Sequence, residues 1–266
     1  MSDLPTITVI TPSFNAAATI EQTLRSVREQ DYPYIEHVVV DGGSTDGTVE
    51  ILERAEGVRF VSESDRGLSH AMNKGVAMAG GSVVGWLNAD DIYLPGALRA
   101  VGEAFAAHPE AEWVTGRCLI IDGAGREIRK GVTAYKNLLL GRYSCALYLT
   151  QNFISAPATF TRREGYERHP FREDYVLAMD YDVFLALAAA SDPLVLDRDL
   201  ACFRMAEGSL SMSRFEQQFA EHAAAARAHG DGHRTSVAAN ALMSRSIVLV
   251  YRLLRALRER RRAPAG

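Results

Sequence analysis

Two adjacent carboxylates, Asp90 and Asp91, follow the apolar run Ser82-Val-Val-Gly-Trp-Leu87, with only Asn88 and Ala89 between. The run reads as a buried strand. A parallel strand ending in Asp-Asp presents two hard oxygen donors at its carboxyl edge, where open α/β sheets take ligands. Such oxygens suit Mg2+ or Mn2+, ions that bridge the phosphates of a nucleotide. A capping role fits poorly, because Pro95 reads as the first residue of the next helix and lies several residues on. Four further segments carry candidate chemistry. Thr11-Pro12-Ser13-Phe14-Asn15 offers small and polar groups that let the backbone approach a base or phosphate, with the Phe14 ring to stack on. The same residues also fit a plain β-to-α loop. Asp41-Gly-Gly-Ser-Thr-Asp-Gly-Thr48 holds three glycines that permit positive φ and close ligand contact, or a turn and a helix cap. Between Glu63 and Gly75, Arg66 and Lys74 could meet a diphosphate, and Asn73 could hold a loop or a ribose. As isolated charges, the two cations also fit solvated surface. Asp180 opens a late helix, where the helix dipole favours a carboxylate and where it can also act as a general base.

The elements that must position these residues follow from periodicity. Ile7–Ile10 reads as a strand, and Thr19 as the N-cap of a helix with Gln22 completing a capping box. Ile20, Leu24 and Val27 form that helix's apolar stripe. Tyr34–Val40 is a second strand ending at Asp41, and Ser44-Thr-Asp46 opens a second helix with Val49, Ile51 and Leu52 for the core. Val58–Ser62 is a third strand, Gly67–Ala79 a helix with Leu68, Met72 and Val76 spaced by four, and Val83–Leu87 a fourth strand. A helix over Pro95–Ala107 follows. This β-α alternation implies a parallel sheet with right-handed crossovers and helices on both faces. Further on, Trp113–Ile121 and Glu127–Val132 read as strands joined by a turn at Asp122-Gly-Ala-Gly125, and Tyr135–Leu140 as a short helix. Ala158–Thr161 reads as a strand, Asp180–Ala190 as a helix, and Val195–Leu196 and Leu200–Phe203 as two short strands. From Ser213 the chain reads as helical, broken at Gly230-Asp-Gly232 and resuming from about Ser236 to Arg262.

Composition bounds the class. The 266 residues hold one large domain or two small ones, with 47% hydrophobic and 23% charged residues, ordinary for a soluble protein. A net charge of -4 gives no reason to expect nucleic-acid binding. Cys118, Cys145 and Cys202 show no metal-ligand spacing and read as free thiols in a reducing compartment. Met1-Ser-Asp-Leu-Pro5 lacks the basic start of a signal peptide, and no apolar run is long enough to span a bilayer. The expected place is the cytoplasm, with a peripheral position at the inner face of the plasma membrane as an extension of that expectation.

Together the motifs resemble the inverting family 2 glycosyltransferases of the bacterial O-antigen and exopolysaccharide branch. The residues that carry the resemblance are Thr-Pro-Ser-Phe-Asn at 11–15, Val-Asp-Gly-Gly-Ser-Thr-Asp-Gly-Thr at 40–48, Asp-Arg-Gly-Leu-Ser-His-Ala-Met-Asn-Lys-Gly at 65–75, Trp-Leu-Asn-Ala-Asp-Asp at 86–91 and Met-Asp-Tyr-Asp at 179–182. The resemblance implies a GT-A fold over residues 1–211: a Rossmann-like, mostly parallel central sheet with helices on both faces, followed by a C-terminal helical arm over 212–266. It implies a nucleoside-diphosphate sugar as donor, a saccharide or polyprenyl-linked acceptor, and Mn2+ or Mg2+ as cofactor. Thr11, Pro12, Ser13 and Phe14 would line a base pocket and Asp41 would close it. Asp90 would contact ribose or metal, Asp91 would coordinate the metal, and Asp180 would be the catalytic base. A nucleotide-sugar-binding protein without turnover, acting as a partner in an assembly complex, is the alternative. A nicotinamide dehydrogenase is excluded, because no Gly-x-Gly-x-x-Gly turn follows the first strand.

Three positions depart from the family's usual pattern. Gly42 stands where many relatives have Asp, so a UDP donor does not follow; His70 stands where many have Asp; and Ala206 stands where several have a late His. At the C-terminus, Ile247, Val250, Leu254 and Leu257 recur at helical spacing beside Arg252, Arg255, Arg258 and Arg260 to Arg262. Such a basic amphipathic helix can lie on an anionic membrane or pack on the catalytic domain with a solvated tail.

Overall fold

Strand β1 (Ile7–Ser13) is buried along its whole length in the computed structural model, which describes residues 4–205 and 214–262. Burial on both faces is what a continuous apolar run predicts for a central parallel strand. Alternate residues serve opposite layers. Ile7 and Val9 pack with Val27 of α1 (Ile20–Arg28) and with Leu98 and Val101 of α4 (Ala97–Ala107). Ile10 faces Met72 and Val76 of α3 (Leu68–Met78). β1 lies between β2 (Ile35–Asp41) and β4 (Val83–Trp86), and β3 (Val58–Ser62) pairs outside β2, all parallel. The loops after these four strands therefore emerge at one edge, and α2 (Thr48–Arg54) closes the second crossover.

Beyond β4 the strand direction changes. β7 (Thr159–Arg162) runs antiparallel between β4 and β6 (Trp113–Ile121). β8 (Leu194–Arg204) runs parallel to β6, and the short β5 (Ile92–Tyr93) pairs antiparallel with β8. The sheet order is β3-β2-β1-β4-β7-β6-β8-β5. Helices α5 (Lys130–Leu140), α6 (Cys145–Thr150), α7 (Arg163–Arg168), α8 (Met179–Ala190), α9 (Phe215–Ala228) and α10 (Arg234–Arg262) complete the chain. The α3 face of the sheet is covered by the largest apolar cluster, which includes Trp86, Trp113, Tyr148, Phe171, Tyr181 and Phe184.

Several local expectations are corrected. Glu127–Val132 is not a strand. A single bridge joins Ile121 to Glu127, then the left-handed Arg129 (φ 52°) turns the chain into α5 five residues before the expected helix start. Val195–Leu196 and Leu200–Phe203 belong to one strand, made continuous by an irregularity opposite Gly116–Cys118. Thr19 caps α1 without a side-chain bond to the helix; its hydroxyl donates to the Ala16 carbonyl, and Gln22 Oε1 instead accepts from Arg204 Nη2 at 2.7 Å. Pro95 lies outside α4, whose N-cap is the left-handed Gly96. Leu68 sits at the exposed end of the α3 stripe, while Met72 and Val76 are buried. The break at Gly230–Gly232 is as expected, with Gly232 at φ 82°. All three cysteines are free. Position 206 and the boundary at 211–212 lie outside the described residues.

Candidate active site

The edge formed by β1, β2 and β3 is organised by Asp41. Its buried carboxylate accepts through Oδ2 from Gly43 N (3.1 Å), Ser44 N (2.9 Å) and Ser62 Oγ (2.6 Å), and through Oδ1 from Ser44 Oγ (2.5 Å). Burial pushes this carboxyl up, but the donors together hold it below the usual range. A hydrogen bond to a charged group is worth about 1.5–3 kcal/mol, so this turn has one well-defined shape. Gly43, at φ 83°, supplies the conformation it needs.

The β1 loop is laced to it. Asn15 (φ 49°) receives Thr45 N–H on Oδ1 at 3.0 Å and donates its own N–H to Ser44 Oγ at 2.7 Å; Gly42 N–H bonds Ser13 O at 2.8 Å. Thr11 is buried, with its hydroxyl 2.9 Å from His37 Nε2, and Pro12 is buried beside it. Burial lowers His37 to about 4. Among the described residues, two groups in this frame have no protein partner for their most obvious function. Ser13 Oγ is buried without a hydrogen bond, and the Phe14 ring is 66% exposed.

Asp90 and Asp91 follow β4 in a turn closed by Asp91 N–H to Asn88 O at 3.0 Å. Asp91 is fully buried. Its Oδ1 accepts Arg204 N–H at 2.8 Å and its Oδ2 accepts Asn88 Nδ2 at 2.9 Å. Trp86 Nε1 donates to Asn88 Oδ1 at 2.8 Å, which turns the Asn88 amine toward Asp91. Arg204, buried at the end of β8, donates to the Asp90 carbonyl, the Asp122 and Gly123 carbonyls and Gln22. Burial raises Asp91 well above the usual carboxylate range and the neighbouring Asp90 charge adds to it; burial also raises the half-buried Asp90. Two adjacent carboxylates disfavoured in their charged forms fit a divalent cation, which would favour those forms. Among the described residues no third His, Cys, Asp or Glu joins them. Such a donor set fits a cation that keeps water and takes phosphate oxygens for its other positions.

Asp180 lies in the first turn of α8, half-buried, with Oδ1 accepting Tyr181 N–H at 2.7 Å. Burial raises its carboxyl, against the Tyr181 N–H, the Lys136 ammonium and a bond from Asn152. Lys136 faces Asp180, whose charge favours its ammonium form. Its Nζ donates to Ser155 Oγ at 2.9 Å, and burial lowers it.

The other candidates are placed as follows. Asn73 holds a loop, exchanging two bonds of 2.8 Å with the Phe171 backbone. Arg66 pairs with Glu173 through Nε (2.7 Å) and Nη2 (2.9 Å), and Lys74 pairs with Glu63. These pairs are exposed, where ion pairs are weak and readily redirected to a ligand. Sequence reasoning missed Lys136, Asn152 and Arg204. It also missed Glu221 of α9, whose Oε2 accepts the N–H groups of Val176, Leu177 and Ala178 at 3.1, 2.7 and 3.1 Å, just before α8. None carries a local signal.

The sequence profile described as Glycosyl transferase family 2 matches residues 8–169, which takes in β1 through β7. The chain belongs to this family. Within family 2, the chain is 27% identical over 194 residues to the chondroitin synthase of Escherichia coli, covering 70% of this chain and 27% of that protein. It spans 27 to 36% of the length of several curated relatives it matches. TarS residues 1–349 from S. aureus, in complex with UDP-GlcNAc, superposes with a TM-score of 0.65 at 19% identity, covering 83% of this chain and 66% of that one. The mannosyltransferase PcManGT from Pyrobaculum calidifontis, in complex with GDP-Man and Mn2+, gives 0.63 at 22% identity, covering 94% and 80%. The fold is the GT-A fold.

Proposed function

We propose that this family 2 chain is an inverting glycosyltransferase that moves a sugar from a nucleoside-diphosphate donor to a saccharide or lipid-linked saccharide in cell-surface polysaccharide synthesis. The observation that carries the reading is the placement of Asp180. A carboxylate raised by burial lies in the first turn of α8, with the Lys136 ammonium acting on it. A base whose affinity for protons is raised toward neutrality is suited to accept one. Asp180 takes the proton of an acceptor hydroxyl while that oxygen bonds to the anomeric carbon. The bond from that carbon to the diphosphate oxygen breaks on the opposite face, and the electron pair leaves with the diphosphate. A single displacement inverts the anomeric centre.

Ser13, Phe14 and the Gly42 backbone receive the nucleoside, and Arg66 and Lys74 are within the same loop group for the diphosphate. Asp91 and Asp90 would hold Mn2+ or Mg2+, which supplies Lewis-acid stabilisation of the charge that develops on the diphosphate. The nucleotide sugars bound to TarS and PcManGT support the donor class. Among the described residues no helix is long and apolar enough to cross a membrane. The exposed Leu242, Leu249, Val250 and Tyr251 of α10, with the arginine-rich sequence that follows, support a peripheral position on an anionic membrane. Sedimentation with anionic liposomes at low salt tests this, and protein left in the supernatant contradicts it.

Nucleotide release from UDP-, GDP- and dTDP-sugars, with Mn2+, Mg2+ or EDTA, tests the activity. Slow metal-dependent release from one donor is expected. Tight nucleotide binding with no release, even on native lipid extracts, would favour a binding protein without turnover.

A further inference from the structure

The segment between α6 and β7 ties the proposed base to a cation that the motifs did not assign. Gln151 Oε1 accepts from Tyr135 Oη of α5 at 3.0 Å, and Ser155 Oγ accepts from Lys136 Nζ at 2.9 Å. Between them, Asn152 bonds Asp180. Tyr148 Oη donates to Asn152 Oδ1 at 3.4 Å, which leaves the Asn152 amine to serve Asp180. This short segment thus sets the α8 carboxylate and the α5 ammonium facing each other, both half-buried. The two do not touch. Among the described residues Lys136 makes no ion pair, and Ser155 is the single protein partner of its ammonium. The other titratable groups acting with it are uncharged: burial lowers His222 to about 4 and pushes Cys118 up to about 12. An ammonium has three N–H donors, so two remain unused. Burial disfavours its charge, and Asp180 offsets that only in part. Asp180 also loses its own charge when it takes the acceptor's proton. At that moment Lys136 has no anion opposite it unless the acceptor supplies one.

We propose that Lys136 binds an oxyanion of the acceptor, a uronate carboxylate or a phosphate, close to the hydroxyl that Asp180 deprotonates. The proposal rests on the reading of Asp180 as base and names the acceptor's class, an anionic saccharide. A neutral saccharide would cover the ammonium and remove its water without returning a charge, which costs free energy. A carboxylate or phosphate oxygen returns a charge-assisted hydrogen bond, roughly twice as strong as a neutral one. The chain's net charge of -4 gives anions no general attraction, so a preference for them needs a local cation.

Calorimetric titration of the full chain with methyl glucuronide, methyl glucoside and methyl glucoside phosphorylated on its primary hydroxyl tests the proposal. The three share a ring and differ in the group on its exocyclic carbon. At least one anion is expected to bind about tenfold or more tightly than the neutral glucoside. The carboxylate and phosphate arms separate a uronate from a phosphorylated acceptor. Lys136→Met should abolish the preference, and Lys136→Arg, which keeps the charge, should retain most of it. Equal binding of all three, or no binding of either anion, overturns the proposal. So does an unchanged preference in Lys136→Met with an intact circular dichroism spectrum. Nucleotide release from donor sugars is read on the same protein. Metal-dependent release without an anion preference overturns the acceptor class alone. No release from any donor, even on native lipid extracts, overturns the transferase reading itself.

Discussion

The loops after β1, β2 and β3 and the helical layer around α8 hold their functional groups by different means. In the loops, hydrogen-bond partners come from neighbouring β-α units: Asn15 with Ser44 and Thr45, Ala17 with Asp46, and Asp41 with Ser62, at separations of 21 to 30 residues. Around α8 the partners are remote. Ser69 meets Tyr175 and Met179, Asn73 meets Phe171, and Asn240 meets Leu149, at separations of 91 to 110 residues. Glu221 reaches the loop before α8 from a helix at the far end of the chain. The loop region is thus a local frame that a motif can encode. The α8 region is assembled by tertiary packing, and the C-terminal helices take part in it.

If the two regions divide the work between donor binding and proton transfer, mutations should separate the same way. Asp180→Asn gives the largest effect, a loss of about 10²- to 10⁴-fold in transfer with donor binding nearly unchanged by calorimetry. Weakened donor binding would erase the division. Asp91→Asn acts on the other side. Wild type with nucleotide should gain thermal stability on adding Mn2+, and the variant should lose that gain together with metal-dependent transfer. A smaller effect is expected at Glu221. Glu221→Ala strands three N–H groups at the start of α8 and should cost about 1–3 kcal/mol, read as a lower melting temperature. It should lower kcat more than it raises the donor KM, and Glu221→Gln, which keeps an acceptor oxygen, should recover part of both. Equal losses in kcat and donor affinity would tie α9 to the whole molecule rather than to Asp180.

The smallest effect is in the loop region and concerns pH. His37 has its folded value lowered by burial to about 4. Its contribution to stability is present above the unfolded value near 6.5 and is lost as pH falls through about 4. The melting temperature should therefore decline across that window, and less steeply in His37→Gln. Asp180 predicts a limb of the same direction in catalysis. Its raised carboxyl must be ionised to act, so transfer should fall as pH drops through a value higher than that of an ordinary aspartate.

Legibility in the sequence follows the same line. The β-α alternation, the strand ending at Asp41, the glycine turn and the Asp90–Asp91 edge were all readable, because each is a local pattern with a local cause. The Glu127–Val132 strand was misread because its apolar and β-branched residues match a strand, whereas Arg129 in the left-handed region ends the pairing after one bridge. The Thr19–Gln22 capping box failed because a buried guanidinium, Arg204, draws the glutamine away. Lys136, Arg204 and Glu221 gave no signal, since their roles exist only when segments far apart in sequence are packed together.

The most direct test of the account is the anomeric configuration of the transferred sugar, read by NMR on product made from an α-linked nucleotide sugar. Asp180 acting as base in a single displacement predicts a β-linked product. An α-linked product would require a second displacement or a front-face path and would contradict the role given to Asp180.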